Sequence, residues 1–276
     1  MLSSRFGRNR SEFRSQYPLT DEEIRRVAPS IFADAPHASR SERYTYIPTV
    51  DVLTGLRKEG FEPFMVTQTR CRDESKREHT KHLVRLRHRS QIAGAEANEV
   101  ILLNSHDGTS SYQMLAGVFR FVCANGMVVG DATHDVRVPH KGDVIGRVVA
   151  GAFDVLDGFT RVVEETEGMK ALQLNQGEQQ AFARSALALK FDTDTAPAPV
   201  TENDVLRARR MNDAGNDLWT TFNRVQENLI RGGLRGRNAA GRPTTTRQVA
   251  GIDQNVKLNR ALWTLAEEMR KLKAAA

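Results

Sequence analysis

Apolar and charged positions alternate with a period of two between Phe61 and Ser90, where Val84 and Leu86 fall between Arg85, Arg87 and Arg89. Successive side chains of an extended chain point to opposite faces, so this spacing predicts a strand with one aliphatic and one guanidinium face. One face can pack and the other can meet phosphate, although an arginine ridge reads equally as a solvated surface. The preceding run from Phe61 to Cys71 carries Phe64, Val66 and Thr67, which suit an opposing strand, with Arg70 and Arg72 near its tip. A long basic hairpin is the expected local structure. Its turn, Asp73 to Glu78, lacks any Asn-Gly signal and so reads as a loose loop.

Other stretches extend the pattern. Thr20 followed by Asp21, Glu22 and Glu23 is a helix start, and that helix ends near Pro29. Tyr44, Tyr46 and Ile47 suggest a strand, after which Thr49 can cap a helix carrying Val50, Leu53 and Leu56 as far as Gly60. Extended runs at Glu99 to Ser105, Tyr112 to Ala124 and Met127 to Val129 follow, the last two separated by Asn125-Gly126, a strong hairpin signal.

Beyond Pro139 the period changes to three and four. Gly142 to Glu167 reads as one amphipathic helix, and Asn175, Gly177 and Glu178 open another that stops before the Pro- and Thr-rich stretch Asp192 to Pro199. Thr201 to Arg210 restarts a helix, Leu218 to Ile230 mark a longer one, and a last helix spans about Asp253 to Lys273. Between them, Arg231 to Arg247 holds five arginines and four glycines among small residues and reads as a flexible cationic loop. The fold expected is α+β: a mostly antiparallel sheet with a long basic hairpin, packed by helices and followed by a helical C-terminal region. Residues 1–18 would be a flexible basic arm, 19–190 the core domain, 191–200 a linker, and 201–276 the helical region with its Gly/Arg-rich loop at 231–247.

Charge narrows the partners. Forty basic against 34 acidic side chains leave a net +6, which favours an acidic polymer as partner and argues against an acidic mimic of DNA. The chain has two cysteines, Cys71 and Cys123, and a charged N-terminus without an apolar signal core. A cytoplasmic, reducing compartment and no membrane span are expected.

Candidate chemistry is sparse. His79 and His82 stand three apart, which on a strand puts them on opposite faces, so they read as exposed hairpin residues and no metal is expected. His106, Asp107 and Ser105 offer catalytic residue types, but Asp107-Gly108 between strand-like runs is ordinary turn chemistry. Neither GxxxxGK[ST] nor GxGxxG occurs, and no cofactor is implied. The residues assigned to nucleic acid are Arg70, Arg72, Lys81, Arg85, Arg87 and Arg89, with Arg235, Arg237 and Arg242 closing over the strand. Tyr44, Tyr46 and Tyr112 are candidates for base stacking.

The runs Tyr44 to Leu53, Asn104 to Gly108, Val118 to Gly126 and Lys257 to Trp263 make the chain resemble a phage- and plasmid-associated family named as domain of unknown function 932. That resemblance implies a mobile-element context in a bacterial host and no activity. The order of elements is also similar to phage single-strand annealing proteins of the Erf and RecT type, which form rings or filaments and hold a strand in a positive groove. Together these imply a non-enzymatic, ATP-independent single-stranded DNA binding and strand-annealing protein. It would be homo-oligomeric and would work with a nuclease or a single-strand-binding protein. The alternatives are an effector that binds a host protein and, further off, a nuclease using His106 and Asp107.

Overall fold

A computed structural model describes residues 12–37, 46, 48–70, 74–91, 96–121, 125–130, 135–139 and 142–274. They form two compact units that divide near residue 159, so the division expected after residue 190 falls earlier and the following helices belong with the C-terminal unit.

The first unit is α+β. Strands β1 (Glu12–Arg14), β2 (Phe61–Gln68), β3 (His82–His88), β4 (Glu96–Asn104), β5 (Tyr112–Arg120) and β6 (Asn125–Val128) lie in chain order, and β7 (Val136–Val138) pairs with β5. The pairs from β1 to β5 are antiparallel. Met114 pairs with Leu102 on one side and Val136 on the other, so β6 and β7 share the far edge of β5. Although β1 is the first strand in this order, its Arg14 guanidinium lies 4.9 Å from the Phe119 ring on β5. That contact requires the sheet to curl.

Period two then assigns the faces. His82, Val84 and Leu86 point towards α1 (Asp21–Val27), α2 (Thr49–Lys58) and α3 (Val144–Asp157), while Leu83, Arg85 and Arg87 point into the curl. All six are buried, so β3 has no solvent face. An extra residue at Pro63 to Met65 bulges β2 and lets Phe64 reach into the curl beside Arg87. Asn125-Gly126 opens β6 and is not the hairpin turn expected there. A Cβ on Gly126 would come within 2.9 Å of the Arg85 guanidinium, so the glycine leaves that side chain its space. The strand expected at Tyr44 to Ile47 lies outside the described residues apart from Tyr46.

The second unit is helical: α4 (Phe159–Ala171), α5 (Gln176–Lys190), α6 (Glu202–Leu206), α7 (Leu218–Arg231) and α8 (Ile252–Ala274). The single helix expected from 142 to 167 is broken between α3 and α4 at Gly158. Capping boxes, Asn175 with Glu178 and Thr201 with Asp204, start α5 and α6 where expected, and Thr20 with Glu23 does the same for α1. Helix α7 is buried on every side, with Trp219, Phe222 and Trp263 of α8 packed ring against ring. Its polar residues are therefore paired inside. Glu227 accepts from Arg210 at 2.6 Å and Arg231 at 2.7 Å, and Asn228 donates to the Val205 and Arg207 carbonyls.

The Gly/Arg segment is not a loose loop. Arg235–Arg237 (β8) and Pro243–Thr245 (β9) pair as an antiparallel hairpin. Asn238 Oδ1 closes its tip by accepting from the Ala240 and Arg242 amides, each at 3.0 Å, with Gly241 at φ +74. The Arg237 amide donates to the Pro199 carbonyl at 2.9 Å, which also ties down the stretch expected to be a linker. A Cβ on Gly236 would stand 1.8 Å from that carbonyl oxygen. Gly236→Ala is therefore expected to push the hairpin off the 191–200 segment at a cost of roughly 1–3 kcal/mol. Hydrogen exchange should read this as lost protection of the Arg237 amide, with β3 and β4 amides unchanged.

Candidate functional site

The predicted arginine ridge divides in two. Arg85 and Arg87 are 3% and 1% exposed, and both hold Glu99. Arg85 Nη1 donates to Glu99 Oε2 at 2.9 Å and to the Met127 carbonyl at 3.0 Å. Arg87 Nε donates to Glu99 Oε1 at 3.0 Å, while its Nη2 sits 2.9 Å from the same oxygen without alignment for a hydrogen bond. The Arg87 guanidinium is flanked by the Phe64 and Phe119 rings, each 4.3 Å away. Burial lowers the pKa of both arginines while the Glu99 charge opposes it. Neither side chain is presented to phosphate, because both are buried inside the curled sheet against the shared Glu99. Arg89 is exposed, but seven residues of β3, about 23 Å of strand, separate it from Arg70 and Lys81 at the other end. Those cations do not form one line. Arg72 lies outside the described residues, and Arg70 and Lys81 each have an interaction of their own.

The tyrosines are also committed. Tyr112 is buried with its hydroxyl 3.2 Å from Thr49 Oγ1, and Tyr46 donates to the Ala33 carbonyl with its ring against His106. Tyr112 offers no face to a base, Tyr46 is half-buried against His106, and Tyr44 lies outside the described residues.

Around Thr49 a closed polar node has formed. Gln68 Nε2 donates to the Arg77 carbonyl and to Thr80 Oγ1, which turns Oε1 towards Ser30. Ser30 donates its hydroxyl to that oxygen at 2.9 Å, so Ser30 Oγ accepts from His82 Nδ1 at 2.8 Å. His82 Nε2 then accepts from Thr49 Oγ1 at 2.9 Å, and Thr49 accepts from Asn104 Nδ2 at 3.1 Å. His106 Nε2 lies 3.1 Å from the same hydroxyl. Thr49 thus points inward and does not cap α2, whose preceding residue Pro48 supplies no cap. The node corrects the expectation of an exposed His82, which is fully buried. Asp107 meanwhile accepts from the Thr109 amide at 3.0 Å, and Gly108 has φ +79, the turn predicted for that dipeptide. Burial raises the Asp107 pKa, but hydrogen bonds from Thr109 and Ser105 outweigh it and leave the carboxyl below its ordinary value. The His106 ring is engaged at Thr49 and Asp107 in its own turn, so no catalytic pair is assembled. Among the described residues no group of three His, Cys, Asp or Glu side chains could hold a metal, and no helix is long and apolar enough to cross a membrane.

What is assembled and open is the β8–β9 hairpin. Arg235 and Arg237 are exposed on one face of β8, Thr245 lies opposite Arg235, and Arg242 is exposed at the tip. Arg237 Nη1 donates to the Gly241 carbonyl at 2.7 Å. Among the described residues no carboxylate pairs with Arg235, Arg237, Arg242 or the exposed Arg247. The signals missed in the sequence were Glu99, an acid set directly before the aliphatic run Val100 to Leu103, and Arg247, which closes the cationic segment.

The family described as "Domain of unknown function (DUF932)" matches residues 36–263. The chain belongs to the DUF932 family. Two curated relatives, "UPF0380 protein YfjQ" and "UPF0380 protein YafZ" of Escherichia coli (strain K12), are each 56% identical over 268 residues, 97% of this chain and 97% of theirs. No solved structure matches. The likeness to Erf and RecT type annealing proteins is not among these matches, and the DUF932 and UPF0380 names carry no activity.

Two outcomes follow for the buried clusters. Glu99→Gln leaves two guanidiniums without their counter-charge and is expected to cost about 3–5 kcal/mol in urea unfolding of the first unit. Burial lowers His82 to about 4, against smaller raising effects of the Thr80 carbonyl and Asp107. Below the ordinary His value of 6.5 the unfolded chain binds a proton that the folded chain refuses, so stability falls as pH drops from about 6.5 to about 4. The loss should be roughly 3 kcal/mol across that window, measured as a urea midpoint series, and His82→Gln should flatten it.

Proposed function

We propose that this DUF932 protein is a non-enzymatic nucleic-acid-binding protein that takes single-stranded DNA along the β8–β9 hairpin and promotes annealing of complementary strands. The observation that carries the reading is the set of exposed arginines 235, 237 and 242 on a hairpin with a hydrogen-bonded turn, with Arg247 just beyond it, all without carboxylate partners among the described residues. Guanidiniums held ready and unneutralised favour phosphate, because binding releases the counterions condensed on the strand. The net charge of +6 points the same way. Annealing needs no catalytic group, since pairing is downhill once two strands are neutralised and brought together. Arg85 and Arg87, buried against Glu99, take no part.

Fluorescence anisotropy with a labelled oligothymidine at several salt concentrations tests this. Affinity should fall steeply with salt, and Arg235→Ala, Arg237→Ala and Arg242→Ala combined should make the logarithmic slope shallower by about 2. The wild type should speed pairing of complementary strands and the triple variant should not. Binding that is absent at low salt, or unaffected by the triple substitution, would remove the reading.

A further inference from the structure

Behind the arginine face of the hairpin lies a hollow of about 390 Å³, bounded by Lys190, Phe191, Pro197, Pro199, Thr244 and Arg247, among others. Its construction is specific. Phe191 ends α5 in an extended conformation, its amide donating to the Leu187 carbonyl at 2.8 Å. Lys190 Nζ lies 5.3 Å from the Phe191 ring and donates to the Leu229 carbonyl at 2.5 Å and the Arg247 carbonyl at 3.2 Å. Burial lowers the pKa of this amine. The lysine thus clamps the end of α5 to the chain leaving β9. The two prolines contribute carbon and no amide, and Gly236 with its Pro199 contact closes the hairpin against this floor. At the rim, the Thr244 and Thr245 hydroxyls and Asn238 Nδ2 make no hydrogen bond among the described residues.

We propose that this hollow takes one unpaired nucleobase from the strand whose phosphates lie on Arg235, Arg237 and Arg242. The proposal rests on the nucleic-acid reading above. An aromatic and proline floor with free hydroxyl and amide groups at its rim matches a base, whose flat face is apolar and whose edge carries donors and acceptors. The hollow is shallow and open to solvent, which suits a flat base laid against its ring and proline floor. Cross-strand pairing places Thr245 opposite Arg235 on the outer face and Thr244 opposite Gly236 on the inner face, yet both line the hollow. It therefore opens from the inner side of the hairpin onto the face where the phosphates run. Charge complementarity selects the occupant, because the exposed Arg247 at the margin suits an anionic backbone. A base within a duplex is paired and stacked, so the hollow gives the protein its preference for single strands.

The test compares the full-length wild type with Phe191→Leu, which keeps apolar bulk without a ring face, and Thr244→Val, which keeps shape without a hydroxyl. Each is titrated against an oligothymidine carrying one 2-aminopurine and against a duplex of equal length. The wild type should quench 2-aminopurine on binding. Phe191→Leu should abolish the quench and lower single-strand affinity about tenfold while leaving duplex affinity unchanged. Thr244→Val should weaken single strands alone by a smaller factor, and it stands in should Phe191→Leu unfold. Unchanged quenching and unchanged single-strand to duplex ratios in both variants, with the arginine triple variant still losing affinity, would overturn the base hollow and leave the nucleic-acid reading intact. Loss of neither activity in the arginine triple variant would overturn both.

Discussion

One buried carboxylate organises the first unit. Glu99 ion-pairs with both Arg85 and Arg87 inside the curled sheet, and without it both guanidiniums would be charges stranded in a low-dielectric interior. The arrangement dictates register. A slip of one residue on β3 would turn both arginines onto the helix-covered face, where Val84 and Leu86 pack, and leave Glu99 alone. It also dictates where side chains must be missing. A Cβ on Gly117 or Gly126 would fall within about 3 Å of Arg85, at 3.1 and 2.9 Å. The bulge in β2 belongs to the same solution, since it brings Phe64 over Arg87 as one of the flanking rings.

The other face of the sheet is joined to its helices by polar contacts as well as by apolar ones. Thr49 at the start of α2 reaches His82 on β3, Asn104 at the end of β4 and Tyr112 at the start of β5. These groups bond one another away from water. In the second unit α7 plays the corresponding part, with Glu227 and Asn228 answering Arg210, Arg231 and neighbouring carbonyls inside the core. Function is then left to what the cores do not consume. The β8–β9 hairpin keeps its cations outside, on a backbone ordered by the Asn238 turn and the Pro199 contact.

Local patterning was legible wherever the deciding groups lie within a few residues of each other. The starts of α1, α5 and α6 could be read from capping residues because the cap and its amide are three positions apart. Period two gave β2 to β5 and the opposition of arginine to aliphatic side chains on β3. The Asn125-Gly126 dipeptide misled because glycine answers two demands, a turn or a close approach, and the second depends on a guanidinium forty residues away in sequence. Gly158, with the break between α3 and α4 beside it, was hidden by apolar spacing that runs on through it.

The sequence alone determined the α+β class, strands β2 to β5, the basic balance and the family resemblance, all of which rest on composition, short-range spacing and local motifs. Tertiary structure alone decided which arginines are inside and which outside. Alternation states that two faces differ, yet it does not state whether a charged face meets water or a buried partner. That depends on sheet curvature and on Glu99, which period two on β3 cannot sense. The same holds for the Gly/Arg segment, whose composition suggests a loose loop until Asn238 and Pro199 supply the bonds that order it.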